Sequence, residues 1–267
     1  MCDERLKLLS FTGSPSVGWD MKARCGKKKV VLELGGNAAC VVDSWDEATL
    51  PLDKIVERIC FGAFYQSGQS CIHLQRLLVR QDHYDKVVSA LVDKTKQLKK
   101  GNPLQPDCFV GPLISEGDAL RIEEWVNAAV AKGGQVLAGG KRYGQVYDAT
   151  IVARVDHKCD LWVEEAFAPV VIVEPYSDFK AAIESVNNSK FGIHVGLFTT
   201  DLNKSIYAWE NCDVGGVVVG DVPSMRVDAQ PYGGVKDSGI GREGIRYAIE
   251  DMTELRVLLL KNVGVLP

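Results

Sequence analysis

Four short stretches of the 267-residue sequence hold side chains whose types and spacing could support chemistry. In Tyr65-Gln66-Ser67-Gly68-Gln69-Ser70-Cys71-Ile72 a cysteine follows small and polar residues, directly behind the apolar segment 59–64. A packing cysteine sits inside an apolar run. This one follows a Gly68 turn that would bring its sulfur to the mouth of a cleft, where backbone N–H groups or a helix N-terminus would lower its pKa. Glu33 stands in the apolar run Val30–Leu34, two residues before Gly35-Gly36. Glutamate is rarely buried without a partner, so the plain reading is an edge-strand charge facing solvent. The functional reading is a carboxylate at the carboxyl end of a parallel strand, where open α/β sheets bind ligands. Partial burial there would raise its pKa toward the range of a general base.

The other two stretches suit a ligand more than a reaction. In "SFTGSPSVG" a strand stops at Gly13-Ser14 and a helix begins near Val17-Gly18. Such a turn can seat a phosphate on a helix N-terminus through backbone N–H groups and a serine hydroxyl. It is not the G-x-G-x-x-G fingerprint, and an ordinary β–α turn would look the same. In Glu164–Val171, "EEAFAPVV", two acids precede an aromatic and an Ala-Pro turn, which could give a ribose ligand and a ring wall, or simply a loop entering a strand.

These side chains need a scaffold, and the hydrophobic pattern supplies one. Leu6–Phe11, Val30–Leu34, Ala39–Val42, Leu77–Val79, Val170–Val173, Gly196–Thr199 and Val214–Val219 are short apolar runs that read as strands. Between them, Tyr84, Val87, Val88 and Leu91 recur at the spacing of one helix face, and a second amphipathic helix runs from about Ala119 to Ala131 before Gly133-Gly134. Further helices are expected at Phe179–Val186, Lys204–Asn211 and from Ile245. Strands apolar on both faces, alternating with helices, predict an α/β fold with a mostly parallel sheet covered on both sides. Leu255–Leu260 reads as a terminal strand in need of a partner sheet on another subunit.

Composition narrows the function classes. The net charge of −4 and pI near 5.7 argue against a nucleic-acid or membrane surface, which needs concentrated basic charge. No apolar stretch reaches the length of a membrane span, and the N-terminus does not read as a secretory signal. Eight cysteines show no C-x-x-C pair, and four histidines show no ligand spacing, so neither a disulfide framework nor a metal site is expected. Scattered thiols in an acidic chain fit a reducing cytoplasm.

Taken together, the motifs resemble the aldehyde dehydrogenase superfamily. "FTGS", "LELGGN", "GQSC", "GNPLQPDCFVGPLIS", "EEAFAPV", "FGIHVGLFT" and "PYGGVKDSGIGREG" occur in family order, nearly end to end. The last two are similar to the branch acting on small hydroxy- or phospho-type aldehydes. The resemblance implies an enzyme that oxidises an aldehyde to an acid with NAD or NADP. Cys71 would be the nucleophile, forming a thiohemiacetal and then a thioester, with its own N–H helping to hold the oxyanion. Glu33 would be the base that activates water. Gly13, Ser14, Leu34, Gly35, Glu165 and Phe167 would contact the cofactor, Glu165 at the nicotinamide ribose.

The resemblance also implies a division of the chain: residues 1–35 as a remnant of the dinucleotide-binding domain, 36–250 as the catalytic domain, and 251–267 as an oligomerisation strand and tail. A homo-oligomer, dimer or tetramer, would form through that tail. The chain begins at the strand before the pyrophosphate turn, so the family's N-terminal portion is absent. With it go an oxyanion-hole asparagine and the adenosine contacts, which implies weak or lost cofactor binding. Asn37, Ala168, Ala229 and Gln230 depart from commoner family residues. Two alternatives stand beside the dehydrogenase: a non-catalytic oligomerising fragment, and a cofactor-free thiol esterase using Cys71 and Glu33.

Overall fold

The computed structural model describes residues 1–264, and its elements follow the apolar pattern closely. Strand β1 (Leu8–Thr12), helix α1 (Pro15–Arg24) and strand β2 (Lys29–Glu33) open the chain. Then come β3 (Ala39–Val42), α2 (Leu52–Phe64), a 3-10 turn at Tyr65–Gly68, β4 (Arg76–Arg80), α3 (Tyr84–Thr95) and α4 (Glu116–Ala131). β5 (Gln135–Ala138), the hairpin β6 (Arg142–Tyr143) and β7 (Val146–Tyr147), β8 (Thr150–Ala153), α5 (Asp160–Val163) and β9 (Val170–Tyr176) follow. The last stretch holds α6 (Phe179–Asn187), β10 (Phe191–Gly192), β11 (His194–Phe198), α7 (Leu202–Asn211), β12 (Gly216–Val219), β13 (Val235–Lys236), β14 (Gly239–Ile240) and α8 (Ile245–Met252).

Seven strands form one sheet in the order β12-β11-β3-β4-β9-β8-β5, parallel throughout except for β5 at one edge. Period-two alternation sends neighbouring residues to opposite cores. On β3, Ala39 and Val41 join α4, α5, α6 and α7, while Cys40 and Val42 join α2 and α3. On β9, Val170 and Ile172 take the first side and Val171 and Val173 the second. Each such Val or Ile, fully buried, contributes about 1.5–3 kcal/mol. That two-sided burial is why the strands read as unbroken apolar runs.

A second, three-stranded sheet has the order β1-β2-β14. β1 and β2 are parallel, with Thr12 opposite Glu33, and β14 joins antiparallel, with Gly239 also opposite Glu33. The end of β2 is therefore flanked on both sides, not at an edge. Side-chain caps set the starts of α4, α6 and α7: Ser115 accepts from the Asp118 N–H, Asp178 from Ala181, and Asp201 from Asn203.

Leu255–Leu260 does not form a strand. Among the described residues no strand pairs with it, the segment is irregular, and its leucines are largely exposed. Residues 265–267 of the expected tail lie outside the described residues. Among the described residues no helix is long and apolar enough to cross a membrane.

Candidate active site

The two sheets meet over a cleft of about 600 Å³. All eight residues singled out from the sequence line it: Gly13, Ser14, Glu33, Leu34, Gly35, Cys71, Glu165 and Phe167. Gln66, Gln69, Ser70, Ile114 and Arg121 complete much of the wall.

Cys71 reaches the cleft because α2 ends and the chain folds tightly after it. Gln66 and Ser67 take positive φ values of 49° and 58°, and Gly68 follows at 71°. A Cβ at Gly68 would run into the carbonyl of Ala168, so only glycine lets the two loops touch. The turn is pinned from outside. Ser67 Oγ accepts from the Gly111 N–H at 2.9 Å, and Gln69 Oε1 accepts from the Ile114 N–H at 2.9 Å. Cys71 is half-buried, and its sulfur lies 2.8 Å from the Tyr232 hydroxyl.

The expected lowering of the thiol pKa is not what the structure supplies. Burial pushes the Cys71 thiol up; the Tyr232 hydrogen bond opposes this, and the charges of Glu165 and Glu33 add to the push. The turn places sulfur at a cleft wall between two carboxylates, not at the start of a helix. Desolvation and like charge both disfavour the thiolate.

Glu33 corrects the plain reading of the sequence. Its position between β1 and β14 leaves it only 4% exposed, and neither carboxylate oxygen has a hydrogen-bond partner. Burial pushes its pKa up to about 8, and Glu243 adds to this while Arg242 and Arg226 oppose it. The strand end itself is fixed by backbone bonds: the Gly13 N–H donates to Glu33 O at 3.0 Å, and the Leu34 N–H to Ser238 O at 2.9 Å.

Glu165 sits on a loop held by the buried Gln75, whose amide nitrogen donates to the carbonyls of Leu161 and Glu164 and whose oxygen accepts from the Ala166 N–H. The Gly36 N–H donates to Glu165 Oε1 at 2.9 Å. A Cβ on Gly35 would press on the same carboxylate, so a bare second position in the Leu34-Gly35-Gly36 turn is what leaves Glu165 in place. Burial raises the Glu165 pKa to about 7 against the pull of that N–H and of Arg121. Phe167 holds a φ of 47°, a conformation that costs a bulky residue about 1–3 kcal/mol and that clusters at functional sites. Across the cleft, Ser14 and Pro15 start α1 without an acid in its first turn, leaving its N–H groups open to an anion.

Arg121 and Tyr232 were not singled out from the sequence. Arg121 is one of several charged residues on α4 and carries no local mark. Tyr232 lies within "PYGGV", but nothing nearby in sequence ties it to a sulfur 161 residues away. Among the described residues there is no group of three or more His, Cys, Asp or Glu side chains placed to hold a metal ion.

The aldehyde dehydrogenase family model matches residues 1–258. The chain belongs to the aldehyde dehydrogenase family. It is 39% identical over 260 residues to a lactaldehyde dehydrogenase from Methanococcus aeolicus, covering 97% of this chain and 55% of that protein. Aldehyde dehydrogenase 21 from Physcomitrella patens, solved with the reaction product succinate, superposes with a TM-score of 0.96 at 53% identity, over 99% of this chain and 54% of that one. The glyceraldehyde-3-phosphate dehydrogenase from Methanocaldococcus jannaschii, solved with NADP, gives 0.89 at 40% identity, over 94% and 54%. The chain thus spans about half the length of the relatives it matches. The mixed α/β architecture with its large, mostly parallel sheet is that of this aldehyde dehydrogenase family.

Proposed function

We propose that this chain carries the reaction centre of an NAD(P)-dependent aldehyde dehydrogenase that oxidises a small hydroxylated or acidic aldehyde to its carboxylic acid. The observation that carries the reading is the convergence, in one cleft, of the Cys71 thiol, the buried Glu33 carboxylate and the bare turn beneath Glu165. The substrate class rests on relatives named for lactaldehyde and glyceraldehyde 3-phosphate and on one solved with succinate.

The residues present fit the nicotinamide end of such a cofactor. The Glu165 carboxylate offers an acceptor for ribose hydroxyls, Leu34 and Gly35 leave room for a flat ring, Phe167 walls it, and Gly13, Ser14 and the start of α1 suit a phosphate. When bound, the nicotinamide supplies the two-electron acceptor of the oxidation. The chain's own residues do the remainder. Cys71 attacks the aldehyde carbon, and its backbone N–H donates to the oxygen as negative charge develops there. After oxidation the substrate is held as a thioester on Cys71. Glu33, at about 8, is poised to take a proton from water as that water attacks the thioester. The acid departs and the thiol is restored.

We read residues 1–35 as cofactor-binding, 36–250 as catalytic and 251–267 as an oligomerisation tail. The placing of β1 and β2 in a sheet apart from the seven-stranded one, and the exposed leucines of 255–260, support this. Those leucines, with Ile245, Ile249 and Met252 on α8, favour assembly with further copies of the same chain. All eight cysteines are free, as suits a reducing cytoplasm.

The test follows NAD(P) reduction with a panel of lactaldehyde, glyceraldehyde 3-phosphate and succinic semialdehyde, together with mass spectrometry of the protein. Cys71→Ala is expected to abolish turnover, and Glu33→Gln to accumulate an acyl group on Cys71. Turnover persisting in Cys71→Ala, or an acyl group on another residue, defeats the reading. Hydrolysis of activated esters without cofactor, lost in Cys71→Ala, would point instead to the esterase.

A further inference from the structure

Tyr232 is built into the site but has no part in the chemistry above. It is 4% exposed, and its hydroxyl lies 2.8 Å from Cys71 Sγ. Its backbone and its ring are both held. Its main chain exchanges hydrogen bonds with Glu243, the Tyr232 N–H donating at 3.2 Å and its carbonyl accepting at 2.6 Å. The His194 ring meets it edge-on at 5.2 Å, and the Arg226 guanidinium lies 4.0 Å from its centroid. Arg226 is in turn paired with Glu243 at 2.8 Å.

We propose that Tyr232 is a positioning residue of this site: its O–H donates to the Cys71 sulfur, fixes the side chain toward the cleft and stabilises the thiolate. The inference rests on Cys71 being the nucleophile. Its electrostatic need is plain from the surroundings. Glu33 at the end of β2 and Glu165 on the loop before β9 both disfavour a charged sulfur, as does burial. Tyr65, next to the thiol, is committed to Ser70 Oγ at 2.5 Å. Of the neighbours acting most on the thiol, only the Tyr232 hydroxyl and the N–H of Cys71 itself favour the anion. Burial, reinforced by the Cys71 and Glu33 charges, keeps the phenol protonated far above its ordinary range, so it has a proton to donate. The Arg226 cation over the ring strengthens the O–H as a donor. Hydrogen bonds to an ionised partner are roughly twice as strong as neutral ones, so this single contact can offset much of the desolvation.

The experiment is peptide-resolved alkylation of Cys71 by iodoacetamide in the full chain, followed from about pH 6 to 11, in wild type and Tyr232→Phe. Phenylalanine removes one oxygen and keeps the ring. Its expected effect is a titration midpoint about one unit higher, read as roughly tenfold slower alkylation on the rising limb of the profile. Replacing Tyr232 with 3-fluorotyrosine, a more acidic donor of nearly the same size, is expected to move the midpoint down. Superimposable profiles for the folded variants overturn the proposal. The readout uses neither aldehyde nor cofactor, so that failure is separate from a failure of Cys71→Ala to abolish turnover.

Discussion

Replacing Glu33 by glutamine tests the electrostatics of the site most directly. The carboxyl is nearly sealed from solvent, lacks a hydrogen-bond partner and is pushed up to about 8, against an ordinary value of 4.5. The unfolded chain releases this proton near 4.5, while the folded chain keeps it until about 8. Between those values the folded state binds more protons, so the contribution of Glu33 to stability is fully present below 4.5 and is lost as pH rises through 8. Each unit corresponds to about 1.4 kcal/mol, and the full displacement to about 5 kcal/mol. Relaxation of the surroundings screens even a buried charge, and roughly half of that, about 2–3 kcal/mol, is the expected loss between pH 5 and 8.5. Glutamine has the shape of the protonated acid and does not titrate. Urea unfolding of both proteins across this range isolates the effect, because every other titrating group is shared. At a slope near 3 kcal/mol per molar urea, the Glu33→Gln midpoint should gain on wild type by about 0.8 M at pH 8.5 relative to pH 5. Parallel curves, or a gap opening in the opposite sense, would refute the assignment of Glu33 as a buried, raised carboxyl.

Three further outcomes follow from the same geometry. Gly35→Ala should push the Glu165 carboxylate aside and weaken NAD(P) binding by about tenfold or more in calorimetric titration, with folding preserved. Because Glu165 titrates near 7, cofactor affinity should rise from pH 6 to pH 8 as the carboxylate ionises and becomes a stronger acceptor; Glu165→Gln should flatten that dependence. Gly68→Ala, facing both a φ of 71° and the Ala168 carbonyl, should cost about 1–3 kcal/mol in urea unfolding, and an unchanged midpoint would mean that the two loops are not in contact.

The sequence by itself determined the scaffold and the candidate residues. Ala39–Val42 is a strand with the expected limits, and Tyr84–Leu91 a helix on the expected face, because burial periodicity and turn residues act over a few positions. The helix expected from Ala119 starts earlier, at Glu116, because the Ser115 side chain caps it. The whole of α2 was not read as a helix: its apolar end, residues 59–64, carries no visible stop before the 3-10 turn. Leu255–Leu260 has strand-like composition, but a strand requires a hydrogen-bonding neighbour, and composition does not provide one.

Tertiary structure alone decided the electrostatic character of the site. Whether Glu33 faces solvent or lies buried depends on β14, contributed from residues 239–240, and whether the Cys71 thiol is lowered or raised depends on Glu33, Glu165 and Tyr232, each distant in sequence. Turns and strand limits are settled by short-range backbone geometry and hydrophobic period. The free energy of a charge is settled by the water and the partners around it, and those are assembled only when the chain folds.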